Sequence, residues 1–188
     1  MNFLAIEPTE RFCDDADIVQ GYMKDLDDKR IIFFYGTMSF IDIISDGFFF
    51  KLSPEWDPSV KLHAGFLFQA DIAWKLIQPY LNTDKKIILA GHSLGGAIAT
   101  ILAYRISSAR LITLAAPSCV GDKKFKEEFS KRGIQAENYC YGVDVVPRIH
   151  WISWIVGLVQ VVKPTIIKEN VFYRDHVTYY QKNDIGGI

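Results

Sequence analysis

Lys86-Ile-Ile-Leu-Ala-Gly91-His-Ser93-Leu-Gly95-Gly-Ala-Ile-Ala-Thr100 is the stretch whose reading decides the fold. Its first five residues form a short apolar run of strand-like composition. From Leu94 onward the apolar residues Leu94, Ala97, Ile98 and Ile101 recur at helical spacing, and Ala99, Leu102 and Ala103 widen that face. Between strand and helix lies Gly91-His92-Ser93-Leu94-Gly95, which fits the pattern G-x-S-x-G. A strand that passes into a helix over so few residues must turn sharply. The serine is then held in a strained backbone conformation, and the flanking glycines let strand and helix pass without a Cβ clash. Its hydroxyl projects from the top of the sheet, and the following amide, that of Leu94, lies at a helix N-terminus, where a developing oxyanion is favoured.

Bulk composition narrows the field. A chain of 188 residues with 49% hydrophobic content is long and apolar enough to bury a core, and residues 1–188 read as a single domain. Lys and Arg number 21 against 22 Asp and Glu, so the net charge is -1 and no basic stripe marks a nucleic-acid partner. Cys13, Cys119 and Cys140 form neither C-x-x-C nor a Cys/His cluster at metal-ligand spacing, so no metal and no cofactor are expected. The N-terminus lacks the charged and apolar regions of a signal peptide, and no apolar run is long enough to span a bilayer. A soluble, cytoplasmic protein is the expectation.

Working outward along the chain, residues 14–26 read as helical or irregular. Arg30-Ile-Ile-Phe-Phe-Tyr35 reads as a strand buried on both faces, ending at Gly36-Thr37. Residues 38–57 form a long, Phe- and Ile-rich connection without strand alternation. A helix is expected from about Leu62 to Leu81, a strand over 110–116, a charged helix over 123–131 capped by Asp122, and a strand over 135–143. Residues 149–162 are apolar and uncharged, and 171–174 read as a last short strand. Strands alternating with helices at these spacings predict an α/β protein with a mostly parallel sheet and helices on both faces.

A serine hydroxyl is a weak nucleophile. It needs a base that is itself held in one tautomer by a carboxylate, and on this topology the chain order is Ser, acid, His. Only His150 and His176 follow Ser93. His176 comes directly after an expected strand, whereas His150 opens an apolar run, so His176 is the better base. Asp144 follows a strand and is held by Val145-Val146-Pro147; Asp122 is explained as a helix cap, and Asp175 is too close in sequence to orient His176. His63 is read as a packing residue. His92 occupies the variable position of the turn and is read as pointing away from the chemistry.

These segments resemble the class 3, or fungal-type, lipases of the α/β-hydrolase superfamily. Gly91-His-Ser-Leu-Gly-Gly96 is similar to that family's elbow, Leu62-His-Ala-Gly-Phe66 to its V-H-x-G-F segment, and Asp144-Val-Val-Pro-Arg148 to its D-x-V-P-R. Phe34-Tyr-Gly-Thr37 resembles F-R-G-T, and Ala116-Pro117 with Val120-Gly121 resembles G-x-P-R-V-G. Tyr35 and Ser118 stand where the family has arginines. The resemblance implies a compact α/β-hydrolase fold with Ser93 as nucleophile, Asp144 as orienter and His176 as base. It also implies an oxyanion hole from Thr37 and the Leu94 amide, and a lid over the serine within residues 38–57. The implied activity is hydrolysis of lipid acyl esters, with transient contact to a lipid interface. A non-lipid carboxylesterase of the feruloyl-esterase kind is the alternative within the enzyme class, and a catalytically silent lipid-binding module the alternative outside it.

Overall fold

The computed structural model describes residues 7–36, 50–140, 144, 146–148 and 157–166. Seven strands form one sheet: β1 (Glu10–Cys13), β2 (Gln20–Asp25), β3 (Lys29–Phe34), β6 (Lys86–His92), β7 (Arg110–Leu114), β8 (Ala136–Cys140) and β9 (Pro164–Ile166), in that spatial order. The first three pair antiparallel, and β3 through β9 run parallel. A two-stranded ribbon, β4 (Lys51–Leu52) with β5 (Leu62–His63), leads into helix α1 (Ala64–Leu81); α2 (Leu94–Ile106) and α3 (Lys123–Lys131) follow β6 and β7.

The central strands read as unbroken apolar runs because both of their faces are covered. Ile32, Phe34, Leu89 and Leu111 enter the larger core cluster, together with the inner residues of all three helices. Their chain neighbours Ile31, Phe33, Ile88, Ala90 and Ile112 point the other way and build a second cluster with Tyr22. Asp122 caps α3 as expected, its Oδ1 accepting from the Phe125 amide at 2.8 Å.

Three expectations are corrected. Residues 14–26 are not helical: β1 and β2 form a hairpin whose turn is closed by Asp14, whose side chain accepts from the amides of Ala16 and Val19. The first residues of the helix expected from Leu62 are instead β5, with the helix beginning at Ala64. An additional strand, β9, adds to the sheet beside β8. The last residues of the span 38–57, in which the resemblance implies a lid, make contacts of their own. Lys51 and Leu52 are paired with β5, Trp56 packs on Tyr104, and Asp57 accepts a 2.6 Å bond from the Tyr104 hydroxyl. Burial and that bond push Tyr104 up to about 12, so the hydroxyl remains a donor. A moving segment that included Asp57 would have to break this anchor; residues 38–49 lie outside the described residues.

Candidate active site

Parallel strands β3, β6 and β7 all deliver their carboxyl ends to one edge, and the polar residues buried in this part of the chain gather there. At the end of β6 the backbone passes through Ser93 at φ 53° and ψ -124°, a conformation that a residue with a Cβ rarely adopts. The Ser93 amide donates to the Leu114 carbonyl at 2.9 Å, while its own carbonyl accepts from the Gly96 amide and starts α2. The elbow expected from G-x-S-x-G is therefore present, with Leu94 in the first turn of the helix behind it.

The approach is closest at Gly95. A Cβ there would lie 2.2 Å from the Phe34 carbonyl oxygen, so the exit of β3 lies directly on the elbow. Gly36 closes the same contact from the other side, since its Cβ would meet that of Ser93 at 2.8 Å and His92 Nδ1 at 3.0 Å. Gly36 thus lies immediately beside Ser93. His92 is buried against this exit, closer to the site than the sequence reading placed it.

Asp144 is 4% exposed, and its Oδ1 accepts from the Val146 amide at 3.0 Å, which fixes the carboxylate at the start of the short helical turn Val146–Arg148. Ser118 fastens that turn to the β7–α3 connection by donating from its hydroxyl to the Pro147 carbonyl at 2.7 Å. At the position where the resemblance has an arginine, a hydroxyl thus bonds the turn that follows Asp144. The other such position, Tyr35, receives its cation from β1: Arg11 Nη1 donates to the Tyr35 hydroxyl at 2.9 Å. Thr37, His150, Asp175 and His176 lie outside the described residues.

Asn138 was not singled out in the sequence. Buried on β8, it accepts from the Ala116 amide at 3.3 Å and donates back to the Ala116 carbonyl at 3.1 Å. It thereby clamps the exit of β7, where Ala115 sits at φ 51°. Ala116 in turn packs so closely on α2 that a Cβ on Gly96 would approach its methyl group to 2.4 Å. Its neighbour Glu137 and the mixed composition of β8 give no signal in the sequence that sets Asn138 apart.

His63 is buried and stacked on Phe66 at 4.2 Å between ring centroids, and burial lowers its pKa to about 4. It is therefore neutral in the folded chain at pH 7. Below the unfolded value of 6.5 the unfolded chain binds a proton that the folded chain refuses. Stability is therefore expected to fall as pH drops from about 6.5 to about 4, by roughly 3 kcal/mol in all if nothing relaxes. Urea titrations of wild type and His63→Gln across that range check this, the variant showing the shallower pH dependence. Parallel curves would show that another group carries it.

Among the described residues no helix is long and apolar enough to cross a membrane. The sequence profile of the class 3 lipases matches residues 31–154, well over half of the chain. No curated protein sequence matches. Among solved structures, the lipase from Rhizopus microsporus var. chinensis superposes with a TM-score of 0.64 at 26% identity, over 75% of this chain and 55% of that one. Lipase II from Rhizopus niveus gives 0.71 at 24% identity, over 85% and 65%. The triacylglyceride lipase of Rhizomucor miehei gives 0.68 at 23% identity, over 86% and 66%. The chain thus spans less than two thirds of the length of each of these lipases. Their shared architecture is the α/β-hydrolase fold, in which the strained serine between strand and helix is the defining turn, and the chain belongs to the class 3 lipase family.

Proposed function

We propose that this chain is a serine ester hydrolase that cleaves acyl esters of lipids through an acyl-enzyme on Ser93. The observation that carries the proposal is the backbone of Ser93 at φ 53°, strain kept at a serine that heads a helix at the carboxyl edge of the sheet. Ser93 Oγ attacks the ester carbonyl as His176 takes its proton. The imidazolium then protonates the departing alcohol, and water enters by the reverse route to release the acid. Asp144, buried and already fixed by the Val146 amide, is assigned the task of orienting His176. The amides of Thr37 and Leu94 are assigned to the oxyanion. Supporting this, Gly36, the residue before Thr37 in sequence, touches the elbow, and Leu94 stands in the first turn of α2.

Acylglycerols or phospholipids are the proposed substrates, by likeness to the lipases of the family and in keeping with the Phe- and Ile-rich composition of residues 38–49. The test is hydrolysis of p-nitrophenyl esters of graded chain length, with and without a lipid or detergent interface. Preference for long chains and a rise in rate at the interface are expected. Activity confined to short soluble esters would move the assignment to a carboxylesterase. Absence of both turnover and fluorophosphonate labelling of Ser93 would remove the enzyme reading altogether.

A further inference from the structure

The amino edge of the sheet, opposite to Ser93, carries a feature that ester hydrolysis does not use. A cavity of about 440 Å³ opens there, bordered by the first residues of β3, β6 and β7 and by the connections that follow α2 and α3. Lys29, Lys86 and Arg110 line it, and among the described residues that do so there is no carboxylate. The register makes the clustering unusual. Lys29 and Lys86 are direct partners across neighbouring parallel strands, and Arg110 pairs with Ile88, two residues further along β6 and therefore on the same face as Lys86. Like charges set opposite one another on one face destabilise a sheet, so their placement beside a cavity calls for a counter-charge.

Internal counter-charge is incomplete. Glu137 on β8 accepts from Arg110 Nη2 and is held below the usual carboxylate range by Tyr139 and Arg110, which neutralises Arg110 on one side. Arg110 Nε remains without a hydrogen-bond partner. Asp28 stands 3.8 Å from Lys29, with both side chains in solvent, where such a pair contributes little. Lys86 has no ion pair among the described residues. The cavity is also lined by apolar side chains, Ile88 on the same face of β6 as Lys86 and Ile87 and Ile134 packed against the larger core.

The geometry points to a second ligand site at the amino edge, for a small phosphomonoester whose phosphate lies between Lys29, Lys86 and Arg110 and whose organic part lies on the isoleucines. Lysine supplies point charge and arginine directed donors to phosphate oxygens, and the cavity has the size of a small-molecule site rather than of a bare ion. The assignment is independent of the reading of Ser93.

The test is calorimetry and thermal unfolding of the full chain with phenyl phosphate, inorganic phosphate and phosphatidic acid vesicles, each against sodium chloride of equal ionic strength. Phenyl phosphate is expected to bind at about 1 mM and, at ten times that concentration, to raise Tm by about 3 °C. Inorganic phosphate is expected to bind several-fold more weakly, lacking the apolar part. Lys86→Gln is expected to weaken phenyl phosphate about tenfold while leaving the Tm of the unliganded chain unchanged or higher, since it removes the repulsion from Lys29. Equal binding by wild type and variant, no effect beyond that of sodium chloride, or binding of the vesicles alone would each overturn the proposal.

Discussion

Ser93→Gly is expected to give a protein that unfolds later than wild type and has lost its hydrolytic activity. The two effects have one origin. At φ 53° and ψ -124° the Ser93 Cβ crowds the backbone, a strain on the order of 1–3 kcal/mol that glycine does not experience. Against this stands the greater freedom of glycine in the unfolded chain, about 0.5–1 kcal/mol, so a net gain near 1 kcal/mol is expected. For a chain of this size that corresponds to a rise in Tm of roughly 2–4 °C. Ser93→Ala keeps the Cβ and hence the strain, and is expected to show no such gain.

Both variants lack the hydroxyl, and turnover is expected to fall by about 10³-fold to 10⁶-fold, the residue reflecting what binding and the oxyanion amides accomplish alone. Thermal unfolding and ester hydrolysis of the two variants side by side check the argument. If Ser93→Gly is no more stable than Ser93→Ala, the strain is absent. If either variant retains wild-type turnover, Ser93 is not the nucleophile.

How much of this was legible in the sequence depended on how local the determining physics is. The elbow was legible because its requirement is steric and confined to five residues, and the strand and helix beside it announce themselves by their periods. The choice of Asp144 as the proposed acid rests on its place after a strand and before Val145-Val146-Pro147 in the sequence. The hairpin of β1 and β2 was not, because what makes it a hairpin is the Asp14 side chain closing the turn and Tyr22 stacking on Phe33 at 5.2 Å from another strand. Its polar residues and glycine hid that pairing. The anchor at Asp57 was equally hidden, since its partner Tyr104 lies 47 residues away on α2. The same holds for Asn138, whose two bonds to Ala116 span 22 residues. The row of like charges at the amino edge emerges only once the register of β3 against β6 is known.

Gly95→Ala is expected to damage both stability and activity. The added carbon would lie 2.2 Å from the Phe34 carbonyl oxygen, 2.6 Å from the Phe34 carbonyl carbon and 2.7 Å from the Tyr35 carbonyl oxygen. All three are backbone atoms of the exit of β3, so no side chain can turn aside to make room. The exit strand or the first turn of α2 must shift, and overpacking of that kind costs about 3 kcal/mol or more. Either shift separates Gly36 from Ser93, and with it the Thr37 amide from the place where the oxyanion is proposed to form. Activity should therefore fall further than stability, by about 10²-fold or more even at temperatures where the variant is folded. Gly133→Ala is the control. Gly133 has φ 65°, and a Cβ there would meet nothing within 4 Å, so only backbone strain of about 1 kcal/mol and unchanged turnover are expected. Urea unfolding and ester hydrolysis of the pair distinguish close approach from conformational strain. A Gly95→Ala protein with wild-type stability and turnover would mean that β3 does not rest on the elbow, and the proposed oxyanion role of Thr37 would lose its support.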